Sequence, residues 1–486
     1  MSNKFDVVVI GSGIGGLTCG AFLARSGKKV LVLEKHFQIG GYTHSFKRRG
    51  FTFESAVHSV PLGSNGLVMH LLKQLGKAQE ITAIPHDSMY TSSWPDFSYT
   101  VAPYAEQIIE SLNSQFPYEK QNIRDLFQSM TGFYDSFVTP IKEGSLEESD
   151  HYKHFISTHQ NRSYKDYLDE FISDEKLRRI LYSQWPFGGT PPSSAPVAYY
   201  VLMFIVHAIE GSHYMEGGFS KLADVLASVI TEAGGAVLTK KEVVALKVHN
   251  KSVKSVVTSK GEEYFADLVI SNISPQILHG DLLEPHARNK LWLRRLKNLA
   301  PSVSSVIVYL GLTENIDDLL KDNITFWYAH DNDRKIFDNC TSKGCKEPDH
   351  LIFLKPGQHS GGPTLTIMNF VRSDCSENWK TDKKLFAQKI LEKAEEIYPG
   401  LNSRISMQEI GSPDTFQRYT SNTDGSLYGF ENTNSLYGEA KLPAKTHISN
   451  LYQAGHWGKP GGGIWNSMYN GYNAFLMINR DDPGVG

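Results

Sequence analysis

A glycine-rich segment near the first residue sets the expectation for the fold, because residues 11–16 have the sequence GSGIGG. An apolar, β-branched run (FDVVVI) precedes it and a helix-favouring stretch follows, so the glycines lie at a predicted strand-to-helix turn. At such a turn Gly11 permits the sharp bend, Gly13 lets a pyrophosphate approach the backbone, and Gly16 lets the helix pack against the strand. The free N–H groups that begin the helix favour phosphate. The segment therefore predicts a βαβ dinucleotide-binding unit.

An acidic residue completes the predicted unit. Residues 29–33 (KVLVL) predict the second strand, and Glu34 follows it, 18 residues after Gly16. An acid at this place accepts a hydrogen bond from a ribose hydroxyl and disfavours a 2′-phosphate. An ordinary glycine-rich turn does not require the strand, the helix and the acid in this register, so the combination favours a dinucleotide site.

A second pair of glycines narrows the class of cofactor. Gly40 and Gly41 follow the acid, and the whole pattern resembles the FAD-binding fingerprint of glutathione-reductase-type flavoproteins. The chain most closely resembles the family of carotenoid desaturases, carotenoid cis–trans isomerases and retinol saturases. Residues 50–58 (GFTFESAVH) are similar to that family's GFxFDxGxH element, with Glu54 in place of Asp and Ala56 in place of Gly.

The carboxyl-terminal block carries the same resemblance. Residues 450–471 (NLYQAGHWGKPGGGIWNSMYNG) resemble the family's LYxAGD…PGxGxxGAxxSG. In such flavoproteins the acid after AG holds the ribityl chain or a phosphate. The glycine turn that follows sets a helix N-terminus beside the flavin pyrimidine, where negative charge develops on reduction. This chain has His456 in place of the acid, and we hypothesise that His456 contacts the flavin or its ribityl chain.

The resemblance implies FAD as the cofactor and assigns its contacts residue by residue. The strand at Val243 is implied to meet the adenine through its backbone. The residues implied to bind FAD are Gly11, Gly13, Ile14, Gly15, Gly16, Glu34, Lys35, Gly40, Gly41, Tyr42, Thr43, Val243, Gly455, His456, Gly463 and Ile464. The polar candidates for catalysis are His58 and Tyr428, and a core histidine bonded to the backbone remains an alternative for His58.

Composition argues against several classes of function. Lys and Arg number 49 against 52 Asp and Glu, a net charge of −3, which does not suit a general nucleic-acid binder. Four cysteines make no disulfide framework, and no CxxC or HExxH spacing implies a metal. The first residues hold no basic segment followed by an apolar stretch and a small-residue cleavage site, so we expect no secretory signal. The longest mostly apolar run, 197–206, is half the roughly 20 residues of a membrane span. We expect a cytoplasmic protein without a metal.

A basic amphipathic segment leaves contact with a membrane surface open. Residues 288–297 hold five Lys or Arg side chains among Leu and Trp. A helix of this kind can lie on an anionic membrane. A solvated helix face packed on the core explains the same pattern, so both interpretations stand.

The order of the patterns predicts an α/β protein with a Rossmann-like FAD-binding domain and an inserted α+β substrate domain. Strands of the first sheet are predicted at 5–10, 29–33, 236–239, 242–248, 253–258, 263–270 and 451–454, and strands of another sheet at 304–312, 350–355 and 364–369. Helices are predicted mainly within 65–215, from 216, over 383–398 and from 464. The predicted FAD-binding domain comprises 1–64, 216–275 and 445–486, and the substrate-binding domain 65–215 and 276–444.

The resemblance implies redox or redox-assisted chemistry on carbon–carbon bonds of a long apolar, carotenoid- or retinoid-like polyene. The choice between desaturation, saturation and isomerisation stays open, as do the electron partner, the proton donor and the oligomeric state. Two alternatives remain. One is a flavin amine oxidase of the same fold, and the other is a non-catalytic escort protein that binds prenyl groups, against which the intact glycine and acid pattern argues.

Overall fold

The structure, a computed structural model, describes residues 3–356, 361–434 and 441–481. The strands within these residues are numbered here in chain order. They are β1 (Lys4–Ile10), β2 (Val30–Leu33), β3 (Ser45–Arg48), β4 (Phe51–Glu54), β5 (Ala83–Pro85), β6 (Tyr90–Ser93), β7 (Ser98–Val101), β8 (His213–Met215), β9 (Ala236–Leu238), β10 (Val243–His249), β11 (Ser252–Thr258), β12 (Glu263–Ser271), β13 (Ser304–Leu312), β14 (Ile324–Tyr328), β15 (His350–Leu354), β16 (Thr364–Val371), β17 (Ile405–Gly411) and β18 (Leu451–Gln453).

The helices of the same residues are also numbered along the chain. They are α1 (Ile14–Arg25), α2 (Leu67–Gln74), α3 (Ala105–Gln115), α4 (Lys120–Lys142), α5 (Asp150–His159), α6 (Tyr164–Phe171), α7 (Glu175–Tyr182), α8 (Val197–Glu210), α9 (Ser220–Glu232), α10 (Pro275–Ile277), α11 (Lys290–Lys297), α12 (Asp333–Cys340), α13 (Trp379–Ile397), α14 (Pro413–Thr420) and α15 (Ile464–Asp481).

The first sheet has the strand order β10-β11-β12-β1-β2-β9, with β18 also paired to β12. Its centre is parallel, since β12, β1, β2 and β9 run in one direction and β18 joins them. The Val, Leu and Ile runs of β1 and β2 are buried on both faces, as parallel strands covered by helices require. Helix α1 packs between this sheet, α9 and α15, and Gly20 permits the close approach of Ile230. The glycine turn before α1 is thereby held at the carboxyl end of β1.

The second sheet has the order β17-β13-β16-β15-β14-β6-β7. Its neighbours are antiparallel except for β14 and β6, which are parallel. Alternate side chains of its strands enter different cores. Phe353 faces the core beneath α13, whereas Ile352 and Leu354 belong to the larger core on the other face. That second face supplies one wall of the cavity described below.

A helical layer formed by α2 to α8 covers the cavity from the other side. Local side-chain caps start several of these helices, because Ser149, Ser163 and Asp174 each accept a backbone N–H of the first turn. Helix α8 is buried along most of its length, as its apolar sequence VAYYVLMFIVHAIE requires. This layer places α8 opposite the second sheet.

Several strands were missed by the sequence patterns. The region 65–215, expected to be helical, also contains β5 to β8, and β6 joins β14 in parallel pairing across more than 200 residues of chain. Helix α9 begins at Ser220 rather than at 216, because Gly217 and Gly218 have φ of +85° and +90°. The division into two domains at the stated boundaries stays a prediction.

The basic segment forms α11, whose buried side faces the protein. Leu296 and Leu299 pack with Phe430, Leu442 and Trp457 in a small core, while Leu291 is 78% exposed. Across the described ranges, no helix combines the length and the apolar character that crossing a bilayer requires. Contact of α11 with a membrane surface stays a prediction.

Candidate functional site

One continuous cavity of about 610 Å³ runs from the glycine turn before α1 to the inner face of the second sheet. This volume lies within the range of small-molecule and cofactor sites. The wall of the cavity contains every cofactor residue predicted from the sequence except Gly16, and it contains both His58 and Tyr428. The structure therefore brings the predicted cofactor residues and the predicted catalytic residues to a single space.

The glycine turn is packed so closely that side chains would not fit. Gly11 has a φ of +88°, and a Cβ at Gly13 would lie 2.3 Å from Nδ2 of Asn272. A Cβ at Gly15 would lie 2.5 Å from Cα of Gly455. The backbone N–H of Gly16 donates to Oδ1 of Asn272 at 2.9 Å, so Asn272 covers Gly16 and keeps it off the cavity wall. The start of α1 faces the cavity with no acidic side chain in its first turn, an arrangement that suits phosphate.

Glu34 is held by three donors at the end of β2. The backbone N–H and the hydroxyl of Ser12 donate to Oε2 at 2.8 and 2.7 Å, and the backbone N–H of His36 donates to Oε1 at 2.8 Å. The Glu34 carbonyl accepts the N–H of Lys241, which places the start of β10 with Val243 beside the acid. The carboxylate is thereby fixed in the cavity wall, as an acceptor of a ribose hydroxyl must be.

The second glycine pair continues the same wall. Gly40 has a φ of +103°, and its N–H donates to the carbonyl of Ser12 at 3.0 Å, which ties the two glycine segments together. The hydroxyl of Tyr42 donates to the carbonyl of Ser426 at 2.8 Å. Nζ of Lys35 donates to the carbonyl of Arg418 at 3.0 Å, so the ammonium group of Lys35 is hydrogen-bonded to another part of the chain. These bonds join the dinucleotide end of the cavity to the turn after α14.

The carboxyl-terminal segment closes the cavity at the start of α15. Gly455 has a φ of +88°, and a Cβ there would lie 2.4 Å from Oδ1 of Asn272. Gly463, with a φ of +99°, directly precedes Ile464, the first residue of α15. A Cβ at Gly463 would meet no described atom within 4 Å, so the space beside this helix N-terminus is open. An anionic ring edge fits there electrostatically.

His456 and Lys441 form a polar pair behind this turn. The His456 ring meets Trp457 edge-on at 5.0 Å between centroids, and burial, aided by the charge of Lys441, lowers the pKa of His456 to about 4. Nζ of Lys441 donates to Oδ1 of Asn432 at 2.6 Å and to the carbonyl of Pro460 at 3.0 Å. Burial lowers the pKa of Lys441 to about 7. His456 is therefore neutral at pH 7, and the acid that it replaces has no anionic substitute at this position.

The inner part of the cavity is an apolar chamber. Helix α8 contributes one face, at the helical spacing of positions 199, 202, 203, 206 and 207. The carboxylates on the described cavity wall are confined to the dinucleotide end, where Glu34, Glu242 and Asp281 lie. The apolar side chains of the chamber include Met89, Phe187, Leu202, Met203, Val206, Ile324 and Met368.

His58 and Tyr428 border this chamber. Nδ1 of His58 lies 3.3 Å from the carbonyl of Ala56, and the ring packs on Phe187 at 4.3 Å between centroids. Because a carbonyl only accepts, Nδ1 carries the proton and Nε2 presents a lone pair. Burial lowers the pKa of His58 to about 3 and raises the pKa of Tyr428 above its usual value. Both groups are neutral at pH 7, His58 as an acceptor and Tyr428 with its hydroxyl proton retained.

Three residues of the site were not singled out by sequence reasoning. Asn272 ends the motif ADLVISN, but its role in locking the glycine turn depends on packing between β12 and α1. His207 follows Met203 by four residues on α8, a spacing that marks the chamber face only when the helix orientation is known. No local sequence pattern around Lys441 indicates that it belongs to the site. Among the described residues, no group of three His, Cys, Asp or Glu side chains is arranged to hold a metal ion.

The chain matches a known protein family over most of its length. The family described as flavin containing amine oxidoreductase matches residues 14–474. This chain belongs to that family. It is therefore a flavin-dependent oxidoreductase, and the α/β fold class inferred from the sequence is confirmed.

Individual relatives confirm the resemblance to polyene-acting flavoproteins. The chain is 27% identical to an all-trans-retinol 13,14-reductase of Danio rerio, over 93% of this chain and 82% of the relative. It is 26% identical to a chloroplastic prolycopene isomerase of Daucus carota, over 99% of this chain and 81% of that protein.

Solved structures share the fold at low identity. An oxidoreductase from Methanosarcina mazei superposes with a TM-score of 0.66 at 18% identity, covering 99% of this chain and all of that one. Putrescine oxidase bound to putrescine gives a TM-score of 0.65 at 12% identity, with 99% of each chain covered. These likenesses show that this chain has the same fold as the two solved structures.

Proposed function

We propose that the chain binds FAD and catalyses redox chemistry, or redox-assisted isomerisation, at carbon–carbon bonds of a long apolar polyene. The observation that carries this proposal is the continuity of the cavity, since Glu34 at the dinucleotide end and Leu202 in the apolar chamber border one space. The substrate class is further supported by relatives named as retinol 13,14-reductase, prolycopene isomerase and diapophytoene desaturase.

The residues of the dinucleotide end suit FAD in particular. Glu34, fixed by its three donors, would accept a ribose hydroxyl of the adenosine half, and Val243 would border the adenine. The first turn of α1 would hold the pyrophosphate. An FMN molecule lacks the adenosine half and would leave this end of the cavity without a ligand. His456 and the turn at Gly463 would border the ribityl chain and the ring.

The chain's own contribution to the reaction is to position the substrate and to exclude water. A bound flavin supplies the acceptor or donor of a hydride. The apolar chamber side chains hold a polyene and keep water from the reacting carbon atoms. At pH 7 Tyr428 is a neutral hydroxyl donor and Nε2 of His58 is a neutral acceptor, and these are the two polar candidates for handling the proton. Addition of a hydride and a proton would saturate a double bond, and removal of both would form one.

An amine oxidase is the second candidate, since structures of putrescine and cyclohexylamine oxidases share the fold. A diamine substrate carries two positive charges, and the buried charge in the chamber would be expected to require a carboxylate partner. The wall carboxylates among the described residues lie at the dinucleotide end instead. The chamber therefore suits an uncharged apolar substrate better than an alkylammonium ion.

A non-catalytic prenyl-binding escort is the third candidate. Such a protein needs the apolar chamber but has no need of the groove at Glu34. The close packing of Gly13 and Gly15 and the three donors on Glu34 are features of a maintained dinucleotide groove. A purified protein that stayed colourless and took up no FAD would favour the escort.

The deciding experiment measures the mass of the product. The purified protein, loaded with FAD and reduced without oxygen, is mixed with a panel of retinoids and carotenoids beside an oxidised control. A gain or loss of two hydrogen atoms identifies a saturase or a desaturase. An unchanged mass with a new retention time, in the reduced sample alone, identifies an isomerase. Peroxide formed from simple amines in air, with no polyene altered, would contradict the proposal.

Contact with an anionic membrane through α11 is a further part of the proposal. Leu291 is 78% exposed and stands between Lys290 and the basic residues of the next turn. An exposed apolar side chain with basic neighbours favours the interface of an anionic bilayer. The test is co-sedimentation with phosphatidylserine vesicles at low salt, where Leu291→Asp should reduce the bound fraction. Equal sedimentation of the two proteins, or none of either, would rule out this contact.

A further inference from the structure

A buried carboxyl group that no step of the proposed reaction uses lies where α8 ends. Glu210 is the last residue of α8 and is 3% exposed. Its Oε1 accepts the hydroxyl of Tyr134 at 2.8 Å and the indole Nε1–H of Trp465 at 3.2 Å. Trp465 lines the cavity and directly follows Ile464, the first residue of α15. One carboxyl oxygen therefore joins the helix of the apolar chamber to the helix that begins beside the expected flavin ring.

The loop before α2 packs against the other side of this carboxyl. The backbone N–H of Leu67, the first residue of α2, lies 3.4 Å from Oε1 of Glu210, and no side chain of the loop caps this helix. A Cβ on Gly66 would lie 2.1 Å from Oε2, so the loop approaches this oxygen closely because residue 66 has no side chain. Glu210 thus contacts α2, α4 and α15 as well as its own helix.

The two oxygens of the carboxyl have different surroundings. All three donors meet Oε1, whereas Oε2 is buried and has no hydrogen-bond partner among the described residues. Burial disfavours the charged form and raises the pKa of Glu210 to about 7, although the hydrogen bonds from Tyr134 and Trp465 act in the opposite direction. The neutral form carries its proton on Oε2 and keeps every bond to Oε1.

The titratable groups around the carboxyl lie on three helices. Two lysines, Lys142 of α4 and Lys73 of α2, donate to backbone carbonyls of the loop before α2, and the charge of Lys142 lowers the pKa of Glu210. On α8 itself His207 lies one turn earlier, and burial lowers its pKa. Burial and the charge of Glu210 raise the pKa of Tyr134, so this hydroxyl keeps its proton. Glu210 is therefore the group of this cluster that is expected to change charge near pH 7.

We propose that Glu210 is a positioning residue: it holds the indole of Trp465 in the cavity wall, and its ionisation alters the surroundings of the flavin that binds beside α15. The inference rests on the proposed binding of FAD but not on the identity of the substrate. A charged oxygen accepts shorter and stronger hydrogen bonds than a neutral one. Loss of the proton therefore draws the indole toward Oε1, and the start of α15 with it, since Trp465 is the second residue of that helix.

Fluorine NMR observes the indole directly. The full chain, loaded with FAD, is labelled with 5-fluorotryptophan, which gives one signal for each of its seven tryptophans, and Trp465→Phe assigns the signal of residue 465. That signal should shift with a midpoint at about pH 7. Glu210→Gln keeps an acceptor at Oε1 and cannot ionise, so the shift should disappear while the remaining signals stay in place. Tyr134→Phe removes a donor that stabilises the anion, so the midpoint should rise by about one pH unit.

Flavin absorbance tests the connection to the cofactor. The visible bands should change between pH 6 and pH 8 in the unaltered protein, and Glu210→Gln and Trp465→Phe should each remove most of this change. Lys441 and His456 lie at the neighbouring turn, and the change that remains in Glu210→Gln measures their share. Glu143→Gln, at an exposed position just after α4, is the matched control and should keep the full change.

The outcomes separate this inference from the function on which it rests. A Trp465 signal that does not shift, or that shifts equally in Glu210→Gln, overturns the role of Glu210 and leaves the proposed FAD site in place. Flavin bands that respond to pH equally in Glu210→Gln and the unaltered protein overturn the connection to the cofactor. A chain that takes up no FAD contradicts the proposed function itself. If Glu210→Gln fails to fold, an unchanged midpoint in Tyr134→Phe overturns the assignment of the titrating group.

Discussion

Oδ1 of Asn272 accepts the backbone N–H of Gly16 at 2.9 Å, joining the end of β12 to the first turn of α1. The same side chain stands where a Cβ on Gly13 or Gly455 would lie. Asn272 therefore packs against the backbone of two segments of the cavity wall, the glycine turn at residues 11–16 and the turn at Gly455. An amide suits this place because it accepts from Gly16 without bringing an anion to the expected pyrophosphate site.

Asn272→Asp is expected to weaken flavin binding by about tenfold or more. It keeps the acceptor for Gly16 but brings a negative charge beside the phosphates. The measurement is the dissociation constant of FAD for the apoprotein. Asn272→Ala, which loses the hydrogen bond without adding charge, should weaken binding less than the aspartate. Asn402→Ala, at an exposed position, serves as the control. Unchanged FAD affinity in Asn272→Asp would contradict this account of the turn.

Glu34→Gln tests recognition of the adenosine half. Loss of a charged acceptor for the ribose hydroxyl is expected to weaken FAD by about tenfold, since hydrogen bonds to charged groups contribute about 1.5–3 kcal/mol. Ser12→Ala removes one donor to Glu34 but no group that meets the ribose, so its effect should be smaller. If Glu34→Gln and Ser12→Ala weaken FAD binding equally, then Glu34 stabilises the glycine turn and does not bind the ribose. Glu216→Gln, exposed, is the control.

His456→Ala addresses the position where the family's commonest residue is an acid. The ring borders the cavity and is neutral, because burial lowers its pKa to about 4. We expect the variant to retain less flavin through purification and to shift the flavin absorbance band. His249→Ala, at an exposed position, should do neither. A His456→Ala protein with full flavin content, an unchanged spectrum and full activity would exclude a contact with the flavin or its ribityl chain.

The first βαβ unit was predictable from local sequence, whereas the second sheet was only partly so. Continuous Val and Leu runs define β1 and β2, and the glycines between them have no other common use at such a turn. By contrast, β6 has the sequence YTSS and acquires its place through pairing with residues 325–327. That pairing is set by tertiary packing over a long separation, which a local pattern does not record.

The same difference separates the two ends of the site. The glycines and Glu34 can be recognised from the sequence, because the backbone geometry of the turn and the binding of a ribose each require a particular residue type. The place of His207 on the cavity wall depends on which face of α8 turns inward, and a lone histidine in an apolar helix is as compatible with the core as with a ligand. Lys441 is similar, since its contact with Pro460 exists only after the chain has folded.

Lys441→Met is expected to change how stability depends on pH. Burial lowers the pKa of Lys441 from its ordinary value of 10.5 to about 7, so unfolding takes up a proton between these values. The stability of the unaltered protein should therefore rise relative to Lys441→Met as pH increases above 7, by about 1.4 kcal/mol per pH unit at most. Urea unfolding at pH 7.5, 8.5 and 9.5 measures the difference.

The absolute stability of Lys441→Met also reflects the loss of donors to Asn432 and Pro460, but that loss does not vary with pH in this range. Lys335→Met, on the exposed surface of α12, should show a constant difference from the unaltered protein at the three pH values. A constant difference for Lys441→Met as well would mean that Lys441 remains charged in the folded protein. A permanent cation would then stand behind the turn at residues 460–463, where it would favour negative charge on a bound flavin ring.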